Sequence, residues 1–349
     1  MSRDLSLSRV LGHLEKLVSF DTRNPPRAIG TGIVDYIVAQ LPGFRCTLQD
    51  HGDGALSLLA VRGKPTRVFN VHLDTVPSSP GWGADPFKLR VEDKRAIGLG
   101  ACDIKGAAAG LLAAAARTSG DTAFLAADHG YAEAIVAEPT RCEAVLAHRG
   151  ISSVLLRFKG EAGHASGAGA LEASAVHQAM RWGTRALELV EGEAHRRFGG
   201  LTGLRFNIGR VEGGIKANII APDAEVRFGF RPLPSHDIDE LHTRFGACAA
   251  PGVLERYLET FRGPPLPAGD IAGAEDRRLA ARDLADELGL PIGNAVDFWT
   301  EASLFSRAGL TALVFGPGDI AQAHTADEWV ALAQLSTAAS HYQRLLEAR

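Results

Sequence analysis

Cysteine is scarce in this 349-residue chain. Cys46, Cys102, Cys142 and Cys248 are scattered and form no C-x-x-C pair. That argues against a disulfide framework and for a reducing compartment. Neither sign of charge dominates, and the net charge of -4 gives no general attraction to nucleic acid or an anionic membrane. No apolar run is long enough to span a bilayer. Met1 to Val18, with Leu5, Val10, Leu11, Leu14 and Leu17 among charged residues, reads as an amphipathic helix too polar for a signal peptide. A cytoplasmic protein is expected. A Gly-x-Ser-x-Gly motif is missing, Cys102 has no obvious basic partner, and Gly98-x-Gly100 is too short for a dinucleotide site. These absences set aside serine, cysteine and nicotinamide chemistry.

What is present is a long, balanced sequence, 46% hydrophobic, enough for a large core and about two domains. Helices are expected at 4–20 and 30–41 and strands at 44–50 and 55–61, joined by the turn His51-Gly-Asp-Gly54. A buried strand follows at Val68–Leu73, then the Ala/Gly-rich helix from Gly106 and strands at Thr122–Ala127 and Ala132–Ala137. This alternation argues for a largely parallel α/β sheet. From Gly150 the order becomes β-α-β-β-α-β, the ferredoxin-like arrangement. It comprises a strand at 151–159, a helix at 171–197, strands at 203–211 and 224–233, a helix at 237–247 and a strand at 256–261. The tail resumes with helices at 274–288 and 302–308, strands near Gly293–Asp297 and at 311–315, and a last helix from Asp327. The expected architecture is therefore α/β: a mostly parallel-sheet domain, residues 1–149 and 265–349, interrupted by an α+β domain, residues 150–264.

The chemistry gathers around His72 and Asp74. Placed two apart on a strand, they share a face, and a carboxylate that fixes an imidazole tautomer is what a metal-ligating histidine needs. Asp103, Glu138 and His324 also stand where a strand or loop gives way, the usual place for a site on an open parallel sheet. Each has an ordinary reading. Asp103 can be a helix N-cap, Glu138 a solvated strand end, and His324 the neighbour of a capping box formed by Thr325 and Glu328. Together the two histidines and the carboxylates make an N/O ligand set that suits zinc, cobalt or manganese. If one carboxylate bridges, two ions fit about 3.5–4 Å apart.

The motifs His72-Leu-Asp74-Thr-Val-Pro, Gly100-Ala-Cys-Asp103-Ile-Lys-Gly, Ala137-Glu138-Pro-Thr, Gly163-His164-Ala-Ser and His324-Thr-Ala-Asp-Glu resemble the M20-type dinuclear metallopeptidase and deacylase family. The resemblance covers nearly the whole chain. It implies a zinc-peptidase-like catalytic domain with an inserted lid and dimerisation domain, and one or two Zn²⁺ or Co²⁺ ions per subunit. Asp103 would bridge them, His72 and Glu138 would complete one site, and His324 would ligate the other. Asp74 would orient His72, and His164 would donate to the oxyanion, in one arrangement across a homodimer interface. Asn218 and Arg231 would hold the substrate carboxylate; unaided, Arg231 reads equally well as a solvated strand residue and His164 as a surface histidine. The implied reaction is deacetylation of an N-acetyl-L-amino acid. Asn294-Ala-Val-Asp297-Phe-Trp-Thr300-Glu301-Ala-Ser and Gly316-Pro-Gly-Asp319-Ile-Ala-Gln narrow the substrate to N-acetyl-L-citrulline ahead of N-acetylornithine, in arginine biosynthesis.

One departure stands out. The family carries an adjacent Glu-Glu pair after the strand that ends here near Asp128, one glutamate as general base and the other as ligand to the second metal. This chain runs Phe124-Leu-Ala-Ala-Asp128-His129-Gly-Tyr131 straight into the next strand. Parallel neighbours need a crossover of a dozen or more residues. The expectation is a segment of roughly 15–20 residues omitted between Asp128 and His129, tested by the distance between their α-carbons. A true deletion would leave an impaired, metal-binding homologue.

Overall fold

The computed structural model describes residues 6–26, 30, 32–124 and 131–347, and the chain divides into two compact units. Unit 1 holds the residues up to Leu146, with Leu279–Gly293 and Thr300 onward; unit 2 holds Ala147–Arg278 and Asn294–Trp299.

Unit 1 begins with α1 (Leu7–Val18), α2 (Gly32–Ala39), β1 (Arg45–Asp50), β2 (Leu56–Arg62) and β3 (Arg67–Asn70). After β4 (Arg90–Glu92) and β5 (Arg95–Ile97) come α3 (Gly106–Ala115), β6 (Thr122–Phe124) and β7 (Glu133–Val136). Unit 2 contains β8 (Ile151–Lys159), α4 (Ala170–Ala173), α5 (Ala175–Gly192), β9 (Arg197–Phe198) and β10 (Leu201–Thr202). It continues with β11 (Arg205–Gly213), β12 (Asp223–Arg231), α6 (Ile238–Ala247) and β13 (Leu254–Gly263). The chain ends through α7 (Ala274–Glu287), α8 (Ala302–Arg307), β14 (Thr311–Val314), β15 (Trp329–Ala331) and α9 (Leu332–Glu347).

The main sheet of unit 1 has the order β1-β2-β6-β3-β7-β14. β6 and β7 both pair parallel with β3, from its two sides, and β14 pairs parallel with β7. The β1–β2 hairpin is antiparallel, as its turn signal requires. α3 is buried along its whole length because only small side chains let it lie this close to its neighbours. It packs among α1 and α9, and Tyr342 of α9 is fully buried there.

β6 and β7 are parallel, which rules out a hairpin between them, and they are not neighbours: β3 lies between. In the sequence, only residues 125–132 separate β6 from β7. The junction of Asp128 with His129 lies outside the described residues.

Unit 2 is an antiparallel sheet of order β11-β12-β8-β13, with α5 and α6 on one face. Val226, Phe228 and Phe230 of β12 point into that core, which closes around Trp182, whose Nε1 donates to Phe245 O at 2.8 Å. The other face is open, an approximately 510 Å³ hollow lined by small and cationic residues such as Ser153, Gly229, Asn207 and Arg231.

Several expected elements differ. β3 stops at Asn70, so His72 and Asp74 lie beyond the strand rather than on it. The helix expected from 171 breaks at Ser174, whose Oγ accepts from His177 N and caps α5. Residues 292–297 form isolated bridges at Ile292 and Val296 rather than the strand expected near Gly293–Asp297. The last helix starts at Leu332, after β15.

Candidate metal centre

His72 and Glu138 follow the carboxyl ends of β3 and β7, two adjacent parallel strands, and so arrive at one edge of the sheet. Asp103 reaches the same point from a wide turn of π-helix at Ala101–Lys105, not from a helix N-cap. Its own φ and ψ of -121° and 85° are non-helical, and the Asp103–Ile104 peptide is cis. Gly100 enters that turn at φ 79°, and a Cβ there would stand 2.7 Å from Thr75 Cγ2. Gly316 allows a second close approach, since a Cβ there would lie 2.5 Å from Glu138 O.

One ligand atom from each of His72, Asp103 and Glu138 lies within 4.8 Å of the others. His72 Nε2 is 3.2 Å from Asp103 Oδ1 and 3.7 Å from Glu138 Oε1. Asp103 Oδ1 is buried without a hydrogen-bond partner, a costly state for a carboxylate oxygen. On the other side of the imidazole, Nδ1 lies 3.1 Å from Asp74 O and 3.5 Å from Asp74 Oδ1. Asn24 Nδ2 in turn donates to Asp74 Oδ2 at 3.3 Å. His72 Nδ1 is thus held as the donor to Asp74, which leaves Nε2 facing the carboxylates.

Charge is crowded here. Burial pushes the Glu138 carboxyl up to about 8, against the pull of His72 and with the push of Asp103, Glu301 and Asp74. Burial works against a charged His72, but Asp103, Asp74 and Glu138 outweigh it and hold the imidazole well above its ordinary value. Burial likewise opposes ionisation of Asp103, yet His324 and His72 keep it low. A dication among these groups would relieve both the repulsion and the orphaned oxygen. The donor set, one imidazole and two carboxylates, fits a zinc- or cobalt-type ion.

His324 meets the other oxygen: its Nε2 lies 3.0 Å from Asp103 Oδ2, and its backbone is left-handed at φ 60°. Glu328 does not form a capping box with Thr325. Its buried carboxylate accepts from the N–H groups of Gly100, Cys102 and Asp103 at 3.2, 2.9 and 2.9 Å. Burial pushes it up to about 7 in spite of those bonds. Glu328 thereby fixes the turn that carries Asp103, a role hidden in sequence because the partners are more than two hundred residues away. Glu301 is a second addition. It lines an apolar cleft of about 220 Å³ with His72 and Asp74, and among the described residues no hydrogen bond or ion pair engages its carboxylate.

The remaining candidates lie in unit 2. The His164 and Asn218 segments are adjacent, with Ala165 N donating to Asn218 O at 3.1 Å and His164 bridged to Ile219. His164 Nδ1 accepts from Ser166 N at 3.3 Å and meets Ser166 Oγ at 2.7 Å, which leaves Nε2 as the outward donor. Arg231 ends β12 beside Asp297, and burial lowers its guanidinium. Asp297 also accepts from the fully buried Arg149 and lies 3.6 Å from Arg205 Nε. Sequence reasoning missed that arginine cluster, because its members are distant in the chain.

Residues 68–126 match the family model for Peptidase family M20/M25/M40, and residues 146–253 match that for a Peptidase dimerisation domain. The chain is 64% identical to N-acetyl-L-citrulline deacetylase of Xanthomonas campestris pv. campestris, over 97% of this chain and 98% of that protein. The chain belongs to the M20 peptidase family. Acetylornithine deacetylase of Klebsiella pneumoniae is a more distant relative, 29% identical over 80% of this chain and 76% of its own length. In fold, an M20 family metallo-carboxypeptidase from Sulfolobus solfataricus matches with a TM-score of 0.73 at 16% identity, covering 97% of this chain and 98% of its own.

The alignment with the X. campestris protein runs over 359 positions, of which 97% of 349 residues fills about 339. About 20 positions thus have no residue in this chain. The M20 match also stops at residue 126, where the crossover is short.

Proposed function

We propose that this chain hydrolyses the amide of N-acetyl-L-citrulline, releasing acetate and citrulline in arginine biosynthesis. The near full-length 64% identity to a protein of that activity carries the reading. The charge-crowded cluster of His72, Asp103 and Glu138 supplies a place for the metal that M20 chemistry needs. These three would hold a Zn²⁺ or Co²⁺ ion, Asp74 would orient His72, and Glu328 would fix the Asp103 turn. When bound, such an ion lowers the pKa of water and polarises the acetyl carbonyl.

Proton transfer needs a carboxylate that is not already engaged. Among the described residues Glu301 is an uncommitted carboxylate in the cleft beside His72, and we assign to it the proton taken from water and returned to the leaving amine. His164, with Nε2 as donor, would stabilise the oxyanion, and Asn218 and Arg231 would take the substrate carboxylate. A homodimer through unit 2, which carries the dimerisation-domain match, is supported by its exposed apolar residues Met180, Leu187, Val211 and Ile215. No described helix is long and apolar enough to cross a membrane, and we assign the chain to the cytoplasm, with a small-molecule substrate and no nucleic-acid or membrane partner.

The test is hydrolysis of N-acetylcitrulline, N-acetylornithine and N-succinyl-diaminopimelate by zinc- or cobalt-loaded protein. Preference for N-acetylcitrulline is expected. A clear preference for N-acetylornithine would move the assignment to that substrate, and equally negligible rates on all three would defeat it.

A further inference from the structure

One end of the open sheet face of unit 2 concentrates positive charge. Arg205 of β11 and Arg231 of β12 are direct cross-strand partners, and both line the approximately 510 Å³ hollow. Like charges placed opposite one another on antiparallel strands destabilise the pair. The buried Arg149 joins them. Its Nε donates to Asp297 Oδ1, and its other nitrogens donate to Gly203 O and Thr202 O. Arg205 Nε lies 3.6 Å from the same Asp297 oxygen, and Asp297 also attracts the half-buried Arg231. Three guanidiniums thus share one carboxylate. Elsewhere on this sheet the arginines are paired closely: Arg227 Nε donates to Glu225 Oε1 at 2.8 Å, and Arg210 pairs with Glu212. In the row next to Arg205 and Arg231 stand only Asn207, Gly229 and Ser153, small or neutral side chains that leave the hollow open.

This arrangement selects a ligand chemistry. Arg205 offers N–H donors to an acceptor. Asp297 Oδ2, the oxygen turned away from the arginines, offers an acceptor to N–H donors. A ureido group satisfies both, being planar and uncharged with a carbonyl beside two N–H-bearing nitrogens. A carboxylate would meet Arg205 but repel Asp297. An ammonium would meet Asp297 against three positive charges. We infer that Arg205 and Asp297 determine side-chain specificity, accepting the ureido end of a citrulline-type substrate and rejecting a δ-ammonium. The inference rests on the proposed reading of the substrate and goes beyond it, because that reading gives the substrate carboxylate to Arg231 and no role to Arg205 or Asp297.

The test is isothermal titration of metal-loaded, full-length protein with L-citrulline, L-norvaline and L-ornithine. The three share their α-amino and α-carboxyl groups, so affinity ratios report the side chain alone and need no turnover. Citrulline should bind at least about tenfold more tightly than norvaline, and ornithine more weakly than norvaline. Arg205→Gln should lower the citrulline-to-norvaline ratio about tenfold and raise ornithine binding relative to norvaline. Asp297→Asn should lower the same ratio but weaken ornithine further. These opposite signs for ornithine are a readout that a merely structural role would not produce. Should Asp297→Asn fail to fold because Arg149 loses its partner, the exposed Arg205 carries the test alone. Equal binding of all three ligands would overturn the inference, as would ornithine binding more tightly than norvaline or no measurable citrulline binding at millimolar concentration. Parallel shifts of all three affinities in the variants would overturn it too. Hydrolysis of the N-acetyl compounds is recorded separately. Citrulline-selective binding without hydrolysis leaves this inference standing and removes the proposed function, and hydrolysis of N-acetylcitrulline with side-chain-blind binding does the reverse.

Discussion

Two clusters in this molecule bring a histidine against carboxylates, one in each unit. In unit 2, His242 Nδ1 meets Tyr257 Oη at 2.8 Å, and Nε2 meets Glu259 Oε1 at 2.8 Å and Ser152 Oγ at 3.1 Å. Ser152 Oγ donates to Glu259 at 3.0 Å, and Arg262 Nε neutralises it at 2.8 Å. Serine and carboxylate crowd the same ring nitrogen, so the group is not arranged for nucleophilic attack, where they would take opposite nitrogens. Every polar atom has a partner and the charge balances. In unit 1, His72 faces three carboxyl groups, Asp74, Asp103 and Glu138, with one buried oxygen left over. A satisfied network is a structural tie; an unsatisfied one with excess charge of one sign is a place kept for something else.

The comparison breaks most sharply at His72. His72→Ala is expected to abolish acetyl-amino-acid hydrolysis, roughly 100-fold or more beyond the effect of an outer partner, while the far-UV spectrum and the melting transition persist. Retained turnover would remove His72 from the centre. Next is Asp74→Ala. It leaves the ligands in place but frees the imidazole to turn, and a loss of about 10–100-fold in metal affinity or activity is expected. An unchanged metal titration would reduce Asp74 to a surface residue.

Glu301→Gln removes a carboxylate and keeps its shape. If it moves the proton, kcat falls by about 10²–10⁴-fold while metal content and KM hold. A change confined to KM would make it a substrate contact. In unit 2 the expectation reverses. His242→Phe should leave metal content and kcat unchanged and cost about 1–3 kcal/mol of stability through the Tyr257 and Glu259 groups it strands, read by denaturant unfolding. A rate loss without a stability loss would mean that the unit 2 cluster is functional too.

These contrasts also mark what the amino-acid order made legible. The alternation of Val226, Phe228 and Phe230 was visible because a strand's period of two leaves its mark on every residue. The ligand residues were visible as motifs, although the reason offered for His72 and Asp74 was mistaken: β3 ends before them, and loop geometry, not strand period, sets their relation. Glu328 was not legible. Thr325 and Glu328 have the spacing of a capping box, and nothing local tells that the carboxylate instead turns to the backbone at Gly100–Asp103. Nor was the place of β3 between β6 and β7, since pairing order is a long-range property. The break at Ser174 escaped because the apolar pattern continues across it while the cap resets the helix.

The smallest expected effect concerns a second satisfied histidine in unit 2. His236 Nδ1 accepts from Leu233 N at 2.9 Å, so Nε2 carries the proton and faces Glu193 Oε2 at 3.3 Å. Protonating Nδ1 would break the bond from Leu233 and charge a buried ring. Burial lowers this imidazole first; Glu193 opposes the shift, and Arg196 and Arg149 add to it. Because the folded value lies below the unfolded one, the unfolded chain takes up the proton first as pH falls through about 6.5. The contribution of His236 to stability is therefore complete above that pH and is lost on acidification. Melting curves should be flat from pH 8 to 7 and decline between 6.5 and 5.5, and His236→Asn should flatten that decline. A decline of equal slope in the variant would assign it to other groups. A rise in stability on acidification would mean that Glu193 holds His236 charged, making this pair resemble the centre in unit 1 more than the tie at His242.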